Sequence, residues 1–559
     1  MQATEILQVA LYVALLILLT PPLGAYMAKI YSGRLSWLGP AEKAAYRLIG
    51  VNPAQEMTWP QYTLALVAFN LLGFGVLLAI LLSQGALPLN PQRVAGMKFP
   101  LAFNTAISFM TNTNWQAYSG EAALSYFSQM VGLNFQNFVS AATGLAAFAA
   151  VARGFARQST QTLGNFWADL VRSTLYILLP LSLVLAVVLA GQGVVQNFSG
   201  YVTAHTLEGA EQIVPQGPAA SQIAIKQLGT NGGGFFGVNS AHPFENPTPL
   251  SNFLQLLAIL LIPAALPYTF GVMIGDRRQG WVIFAAMLAL FLGGFLLSWW
   301  AEAQGNPITG LSQNMEGKEQ RFGVMNSVLW STATTAASNG SVNAMHDSLS
   351  PLAGGVAIFN MALGEIIFGG VGCGFYGMLV YVVLTVFLAG LMVGRTPEYL
   401  GKKIEAREIK LAILVLLVPS ALLLVGTAAA CLYPTALASL ANNGPHGFSE
   451  ILYAFASASG NNGSAFAGLT VDTPFYNYAL GACMLVSRFI CLIPVLAIAG
   501  SVAAKKTAPL SSGTFPTTGA TFVVLLLATI LIVGALTHLP ALGLGPIVEH
   551  VQMLQNRAF

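Results

Sequence analysis

Four short stretches of the chain have residue types suited to holding a cation. They are FNTAISFMTNTNWQ at 103–116, AIKQLGTNGGGFFG at 224–237, WSTATTAASNGSVN at 330–343 and YAFASASGNNGSAF at 453–466. Each pairs a short, weakly apolar run with a polar loop centred on an asparagine, and the centres are Asn112, Asn231, Asn339 and Asn462. These centres are 119, 108 and 123 residues apart, so the pattern indicates a fourfold internal repeat.

The composition of these loops favours coordination of a cation by backbone carbonyls. Alignment on the central asparagine places Thr113, Gly232, Gly340 and Gly463 at the next position. Glycine adopts backbone conformations forbidden to other residues, which lets neighbouring carbonyls turn toward one axis and replace the hydration shell of K⁺. None of the loop centres contains Asp or Glu, which a divalent ion would favour, so we expect a monovalent ion.

The expected filter consists of each central asparagine with its polar and glycine neighbours. Its residues are Asn112, Thr113, Asn114, Thr230, Asn231, Gly232, Gly233, Ser338, Asn339, Gly340, Ser341, Asn461, Asn462, Gly463 and Ser464. The loops are less regular than a potassium-channel filter, in which several layers of carbonyls support a file of ions. This irregularity favours one or two firmly bound ions, and hence a pump or transporter over a channel.

The elements around these loops are expected to be membrane helices. The 559 residues are 55% hydrophobic and only 8% charged, whereas about 25% of residues in soluble proteins are charged. This composition excludes a soluble enzyme and a disordered chain, and four cysteines are too few for a disulfide-stapled domain. Apolar runs long enough to span a bilayer occur near 5–26, 63–83, 127–151, 174–192, 252–274, 280–299, 355–394, 411–433, 478–503 and 521–537.

The expected fold is an all-α membrane protein with ten transmembrane helices. Each polar loop lies between two spans and is too short and polar to cross the bilayer, so we expect it to re-enter the membrane and meet the others at a central pore. The alternative is four ordinary external loops rich in Asn and Gly. The expected segments are an extra helix and cytoplasmic loop at 1–62, repeats at 63–160, 161–279, 280–405 and 406–506, and an extra helix at 507–559.

The basic residues predict the orientation of the chain. With the N-terminus outside, sixteen of the 23 Lys and Arg residues fall in cytoplasmic loops and six fall outside. Cytoplasmic loops of membrane proteins are enriched in Lys and Arg, so this segregation supports the N-out orientation.

Glu365 and Arg488 are the only charged residues expected within spans, where such residues are costly and functional by default. The run 355–394 is too long for one straight crossing and is rich in glycine, so its helix is expected to break. We expect a gating loop there, with Glu365 lining the ion path and Arg488 as a fixed positive charge below the filter. The alternative is a structural salt bridge between the two. The gating glycines are Gly369, Gly370 and Gly372.

All six histidines are expected outside the spans. They are His205, His242, His346, His446, His538 and His550. This placement argues against an intramembrane hydrolase or transferase, since such a site would need titratable groups within the membrane.

The loops resemble those of the potassium-binding subunits of bacterial Kdp potassium-transporting ATPases, the KdpA family. The resemblance rests on NTAISFMTNTNWQ, GTNGGGFFGVNSAHPFENP, TTAASNGSVNAMHDSLSP and SASGNNGSAFAGL, and it extends over essentially the whole chain. It implies a potassium-channel-like fold, K⁺ as the transported ion, and a multi-pass protein of the bacterial inner membrane. The filter residues that it implies are Thr113, Gly232, Gly340 and Gly463 with their neighbours, and Thr113 departs from the glycine pattern.

The same resemblance implies partner subunits, namely a P-type ATPase subunit (KdpB) with the small subunits KdpC and KdpF. This chain has neither a GxxxxGK[ST] motif nor the phosphorylatable aspartate motif of a P-type ATPase, so ATP would be hydrolysed on another chain. We expect no catalytic site, nucleotide or nucleic acid on this chain, which is surrounded by membrane lipid. An ion-gradient-driven K⁺ or NH₄⁺ symporter and a passive channel with the same pore remain alternatives.

Overall fold

The computed structural model describes residues 3–308, 310, 312–509 and 514–557, and these are mostly helical. The α-helices are α1 (Ala3–Tyr31), α2 (Gly39–Ile49), α3 (Trp59–Ser83), α4 (Phe99–Met110), α5 (Gly120–Ala123), α6 (Phe135–Ala156), α7 (Phe166–Arg172), α8 (Leu179–Gly191), α9 (Ala219–Leu228), α10 (Pro249–Met273), α11 (Arg277–Ala303), α12 (Gly323–Ala336), α13 (Pro351–Ala362), α14 (Cys373–Met392), α15 (Ala406–Leu432), α16 (Pro434–Leu437), α17 (Gly444–Gly460), α18 (Pro474–Ala504), α19 (Ala520–Leu542) and α20 (Val548–Leu554).

Within the described residues the strands are few and short. They form three antiparallel pairs: β1 (Met57–Thr58) with β2 (Thr162–Gly164), β3 (Val202–His205) with β4 (Glu211–Val214), and β5 (Glu398–Tyr399) with β6 (Lys402–Lys403). All of them lie between helices, so the fold class is all-α as expected.

Ten helical segments among the described residues are long and apolar enough to span a membrane, which confirms the expected number. They are Thr4–Tyr31, Trp59–Ala86, Ser128–Ala156, Phe166–Gly191, Pro249–Met273, Arg277–Ala303, Cys373–Met392, Ala406–Leu432, Pro474–Ala504 and Ala520–Leu554. The chain is therefore a multi-pass membrane protein.

A short helix lies between two spans four times along the chain. These short helices, which we call pore helices, are α4, α9, α12 and α17. The next spanning segment after each pore helix belongs to an inner layer. Of its most apolar stretch 61–89% is buried, against 22–44% for the spanning segment before the pore helix. The four repeats thus have outer and inner helices, and α1 and α19 are additional.

The repeats close into a ring. Helix α10 of the second repeat packs against α11 of the third, α13 of the third packs against α17 of the fourth, and α18 of the fourth packs against α4 and α6 of the first. Helix α6 lies deep in this ring and is rich in buried alanine, as at Ala146 and Ala150. Small side chains allow helices to approach closely within a membrane, so the inner helices can surround a narrow axis.

Two inner helices, α10 and α18, each begin at a Thr-Pro pair. Thr248 and Thr473 accept hydrogen bonds from the backbone amides of Ser251 and Tyr476 at 3.0 and 3.3 Å. A threonine hydroxyl satisfies an amide that has no partner in the first helical turn, and proline suits that turn because it lacks an amide hydrogen. These caps set where the chain turns inward after the second and fourth loops.

The third inner helix is broken, as the glycine content predicts. Helix α13 ends at Ala362 and α14 begins at Cys373, and we call the intervening residues 363–372 the break segment. A Cβ on Gly369 would lie 1.5 Å from the Glu365 carbonyl oxygen, and one on Gly372 would lie 2.0 Å from the Gly144 carbonyl oxygen. Only glycine permits this tight reversal against α6.

The expectation that every histidine lies outside the spans was wrong. His538 lies within α19 and is 3% exposed, with Nε2 3.4 Å from Ser420 Oγ of α15. His550 lies in α20, which continues the same apolar segment. The helix runs beyond the apolar run expected at 521–537, because Leu539-Pro540-Ala541-Leu542 extends it by a further turn.

Candidate functional site

Each pore helix leads directly into one of the four predicted filter loops. The helices end at Met110, Leu228, Ala336 and Gly460, one or two residues before the first predicted filter residue of each loop. The C-terminal end of a helix carries a partial negative charge from its unpaired carbonyls. Four such ends at the loops favour a cation there.

Backbone hydrogen bonds show which loop residues are equivalent. In each loop one amide donates to the carbonyl five residues earlier, at 2.8–3.2 Å: Thr113 to Ser108, Asn231 to Lys226, Asn339 to Thr334 and Asn462 to Ser457. The alignment of Asn112 with the other three asparagines was therefore wrong by one residue. Asn114, and not Thr113, is the counterpart of Gly232, Gly340 and Gly463.

Left-handed backbone conformations give the same equivalence. Each loop has a positive φ at two positions separated by one residue: Asn112 (64°) and Asn114 (56°), Thr230 (48°) and Gly232 (81°), Ser338 (53°) and Gly340 (85°), and Asn461 (58°) and Gly463 (99°). Asparagine is, after glycine, among the residues found most often in this region. The sequence TNTN at 111–114 therefore indicates the correct alignment of the first loop, because it supplies an asparagine at both left-handed positions.

The loops contact one another in cyclic order around one axis. A Cβ on Gly232 would lie 1.7 Å from the Asn339 carbonyl oxygen, one on Gly340 2.3 Å from that of Asn462, and one on Gly463 1.9 Å from that of Thr113. Between the first and second loops, Asn112 Nδ2 donates to the carbonyls of Gly229 and Thr230 at 3.2 and 3.1 Å. Glycine is thus required at three of the four contacts between loops, and Asn114 holds the equivalent position of the first loop.

The asparagine side chains fasten the loops to neighbouring repeats. Asn339 Nδ2 donates to the Lys226 carbonyl at 3.1 Å, and Asn462 Nδ2 donates to the Thr334 carbonyl at 2.8 Å. The amide oxygen of Asn339 accepts from the backbone of Ser341 at 2.9 Å. The side chains of Asn339 and Asn462 are therefore occupied within the protein, which favours the backbone carbonyls of these two loops as ion ligands.

A buried tyrosine, Tyr453, hydrogen bonds to the outer part of the fourth loop. Tyr453 Oη lies 2.7 Å from Ser464 Oγ and 2.8 Å from His346 Nδ1. Burial, and to a lesser extent the charge of Lys318, lowers the pKa of His346 to about 3. His346 is therefore neutral at physiological pH and adds no positive charge beside the loop.

A buried ion pair supports the second loop, and sequence reasoning missed it. Lys226 and Glu245 are both fully buried and paired. Lys226 Nζ also donates to Asn239 Oδ1 at 2.7 Å, and Asn239 Nδ2 donates to the Gly232 carbonyl at 2.7 Å. The sequence feature that could have indicated this pair is a lone lysine within a pore helix, followed by a lone glutamate in the segment after the loop.

Other charged residues also lie in the spanning helices, so the expectation of only two was wrong. Asp169 and Glu302 lie in the Phe166–Gly191 and Arg277–Ala303 segments. Asp169 pairs with Arg153 at 2.6 Å and Glu302 with Lys318 at 2.8 Å. The helices extend beyond the apolar runs, and these partners compensate the buried charges.

The break segment lies directly against the filter loops. The Val371 amide donates to Thr230 Oγ1 at 2.9 Å, and a Cβ on Gly370 would lie 3.1 Å from Ser338 Cβ. The segment therefore contacts the second and third loops at the end where their pore helices terminate, which is where a gate would have to act.

Glu365 and Arg488 line one cavity beside this segment, together with Gly460 and Asn461 at the end of the fourth pore helix. They are 1% and 6% exposed. Among the described residues the two do not form an ion pair. The structure therefore does not contain the salt bridge that was the alternative interpretation.

Comparison with known proteins agrees with this architecture. The family model described as "KdpA: Potassium-transporting ATPase A subunit" matches residues 10–551. The chain is 59% identical to the "Potassium-transporting ATPase potassium-binding subunit" of Rhodospirillum centenum, over 100% of this chain and 99% of the relative. Proteins with the same name from Sorangium cellulosum and Pseudomonas aeruginosa are each 59% identical, over 99% of this chain and 100% of the relative. The chain belongs to the KdpA family of potassium-transporting ATPase A subunits.

Proposed function

We propose that this chain is the non-catalytic, potassium-binding subunit of an ATP-driven potassium uptake complex. Its relatives carry the name of potassium-binding subunit of a potassium-transporting ATPase. The observation that carries the proposal is the ring of four loops, each with two left-handed residues and each in contact with the next. K⁺ is the transported ion, and the chain takes part in an ATPase complex.

K⁺ binds, in this proposal, to backbone carbonyls of the filter loops. One layer consists of the carbonyls of Thr113, Asn231, Asn339 and Asn462. The neighbouring layer consists of those of Asn114, Gly340, Gly463 and Gly232, the last of which also accepts a hydrogen bond from Asn239. The flanking residues Asn112, Thr230, Gly233, Ser338, Ser341, Asn461 and Ser464 hold the loops in shape. Hydrogen bonds between loops and the clashes that any side chain would cause at the glycines support this assignment.

The break segment acts as the gate below this site. Gly369, Gly370 and Gly372 give it the tight turns that bring it against the loops. Glu365 lines the path of an ion that has passed the filter, and Arg488 is a fixed positive charge that prevents leak. Support comes from the cavity that both residues line and from the absence of an ion pair between them in the described residues.

The chain resides in the bacterial inner membrane with its N-terminus outside, and lipid surrounds its outer helices. The chain has additional helices in 1–62 and 507–559, and between them lie four repeats at 63–160, 161–279, 280–405 and 406–506. In the two end segments, residues 1–2, 510–513 and 558–559 lie outside the described part. The partners are a P-type ATPase subunit (KdpB), which hydrolyses ATP, and the small subunits KdpC and KdpF. The excess of Lys and Arg in the loops assigned to the cytoplasm supports this orientation.

Co-expression with the partner subunits separates this proposal from its alternatives. We expect the chain to co-purify with a P-type ATPase, and K⁺ to stimulate ATP hydrolysis by the complex. Vesicles that contain this chain alone should neither hydrolyse ATP nor take up K⁺. K⁺ flux by the isolated chain would instead support a passive channel, and flux that requires an ion gradient would support a symporter of K⁺ or NH₄⁺.

A further inference from the structure

Four residues outside the proposed potassium path converge near the start of the fourth pore helix. Asp347 lies in a short turn after the third filter loop, His446 and Glu450 lie on α17, and Glu549 lies on α20. One ligating atom each from Asp347, His446 and Glu450 lies within 4.8 Å of the other two. Imidazole and carboxylate groups at this separation can bind one metal ion together.

Both nitrogens of His446 are directed at carboxylates. Nε2 lies 3.3 Å from Asp347 Oδ1, and Nδ1 lies 2.8 Å from Glu549 Oε1. A histidine that binds a metal through one nitrogen usually donates a hydrogen bond from the other to a carboxylate, which fixes the ring. Glu549 is placed to accept that hydrogen bond while Nε2 faces Asp347.

The carboxylates of Asp347 and Glu450 meet at a glycine. A Cβ on Gly468 would lie 2.6 Å from Asp347 Oδ2 and 2.7 Å from Glu450 Oε1. Asn442 Nδ2 donates to Glu450 Oε1 at 2.8 Å, so the Glu450 carboxylate is held in place. Glycine thus leaves open the space that the two carboxylates share, whereas a side chain at 468 would fill it.

The site has more carboxyl groups than basic groups. His446 pairs with Asp347 and Glu549, whereas Glu450 forms no ion pair with a lysine, arginine or histidine in the described part of the chain. Asp347, His446 and Glu549 also line a cavity of about 250 Å³, together with Ser350. Ser350 is 7% exposed and its hydroxyl has no hydrogen-bond partner, so a further buried polar group adjoins the site.

We propose that Asp347, His446 and Glu450 form a binding site for a divalent transition-metal ion such as Zn²⁺, with Glu549 orienting His446. The mixed nitrogen and oxygen donors fit Zn²⁺ better than Ca²⁺ or Mg²⁺, which prefer oxygen ligands alone. The site is distinct from the proposed potassium site, since it shares no residue with the filter loops.

The site is linked to the fourth filter loop through stacked rings. The rings of His446 and Phe466 stack with centroids 5.9 Å apart, and those of Phe466 and Tyr453 stack at 4.2 Å. Tyr453 in turn hydrogen bonds to Ser464 of the loop. A metal ion here would tie the turn after the third loop and the α20 helix to the fourth pore helix, and we therefore expect it to raise the thermal stability of the chain.

The test uses the full-length chain, purified with an affinity tag that contains no histidine. The chain is titrated with Zn²⁺, and binding is measured by calorimetry. We expect one Zn²⁺ per chain and a higher unfolding temperature, and no comparable effect of Mg²⁺. Asp347→Asn and Gly468→Ala should weaken binding at least tenfold, the second without changing any charge. Glu549→Gln should weaken binding about 10- to 100-fold, the usual effect of losing a partner of a metal-binding histidine.

His550→Ala provides the matched control, because His550 is adjacent to Glu549 in the chain but outside the cluster. It should bind Zn²⁺ as the unaltered chain does. The proposal is overturned if the unaltered chain binds no Zn²⁺, or if Asp347→Asn and Glu549→Gln bind it as tightly as His550→Ala. K⁺-stimulated ATP hydrolysis of each variant in the complex, measured without Zn²⁺, shows that the variants are folded and keeps this result separate from the proposed function.

Discussion

Replacement of Gly340 by alanine is expected to weaken K⁺ binding by at least about tenfold and to relax the exclusion of Na⁺ and Rb⁺. The left-handed conformation alone costs an alanine about 1–2 kcal/mol, and 1.4 kcal/mol corresponds to tenfold in affinity. The new Cβ would also lie 2.3 Å from the Asn462 carbonyl oxygen, so the loop has to move and its carbonyls turn away from the axis. Gly232→Ala should act in the same way against Asn339.

Ion-stimulated ATP hydrolysis of the complex measures this effect, with K⁺, Rb⁺ and Na⁺ compared at equal amounts of purified protein. The matched control is Gly275→Ala. Gly275 also has a positive φ, at 80°, but an added Cβ there meets no atom within 4 Å. The filter assignment fails if Gly340→Ala and Gly232→Ala retain the ion profile of Gly275→Ala.

Arg488→Gln is expected to raise passive K⁺ leak or to increase severalfold the K⁺ concentration needed for half-maximal stimulation. At an effective dielectric constant of about 20, two like unit charges about 4 Å apart repel by about 4 kcal/mol, and the repulsion falls in inverse proportion to their distance. Loss of this repulsion lowers the barrier beyond the filter. Arg488→Lys retains the charge and should have a much smaller effect. K⁺ flux into vesicles and the yield of solubilised protein are measured together.

Yield distinguishes this role from a structural one. Since Arg488 and Glu365 do not pair among the described residues, Arg488→Gln should be recovered in normal amounts. Arg153→Gln offers the contrast, because it removes the partner of buried Asp169, and an unpaired buried charge costs about 3–5 kcal/mol. A low yield of Arg488→Gln that Glu365→Gln restores would contradict the role of Arg488 as a fixed barrier charge.

The sequence was sufficient to predict the architecture of this chain. Ten apolar runs and a fourfold repeat of polar loops are local patterns, and the observed spans and pore helices follow them closely. The break at 363–372 was also predictable, because the run 355–394 is too long for one crossing and is rich in glycine. In the structure Gly369 and Gly372 have no room for a side chain.

The remaining features depend on contacts between residues that are distant in the chain. The first loop was misaligned by one residue because Asn114 takes the conformation that glycine takes in the other three. No local pattern indicates that Lys226 pairs with Glu245 or that His446 lies between Asp347 and Glu549. The sequence equally left open whether Glu365 and Arg488 pair, because packing of the fourth inner helix decides that.

The most direct test of the account is the location of a bound monovalent ion. Tl⁺ has a size close to that of K⁺ and a strong anomalous signal, so diffraction from crystals of the complex grown with Tl⁺ in place of K⁺ would reveal the site. We expect a peak on the axis between the carbonyls of Thr113, Asn231, Asn339 and Asn462, and we expect this peak to be lost in Gly340→Ala. A Tl⁺ peak elsewhere, with none at the ring of loops in a complex that transports Tl⁺, would contradict it.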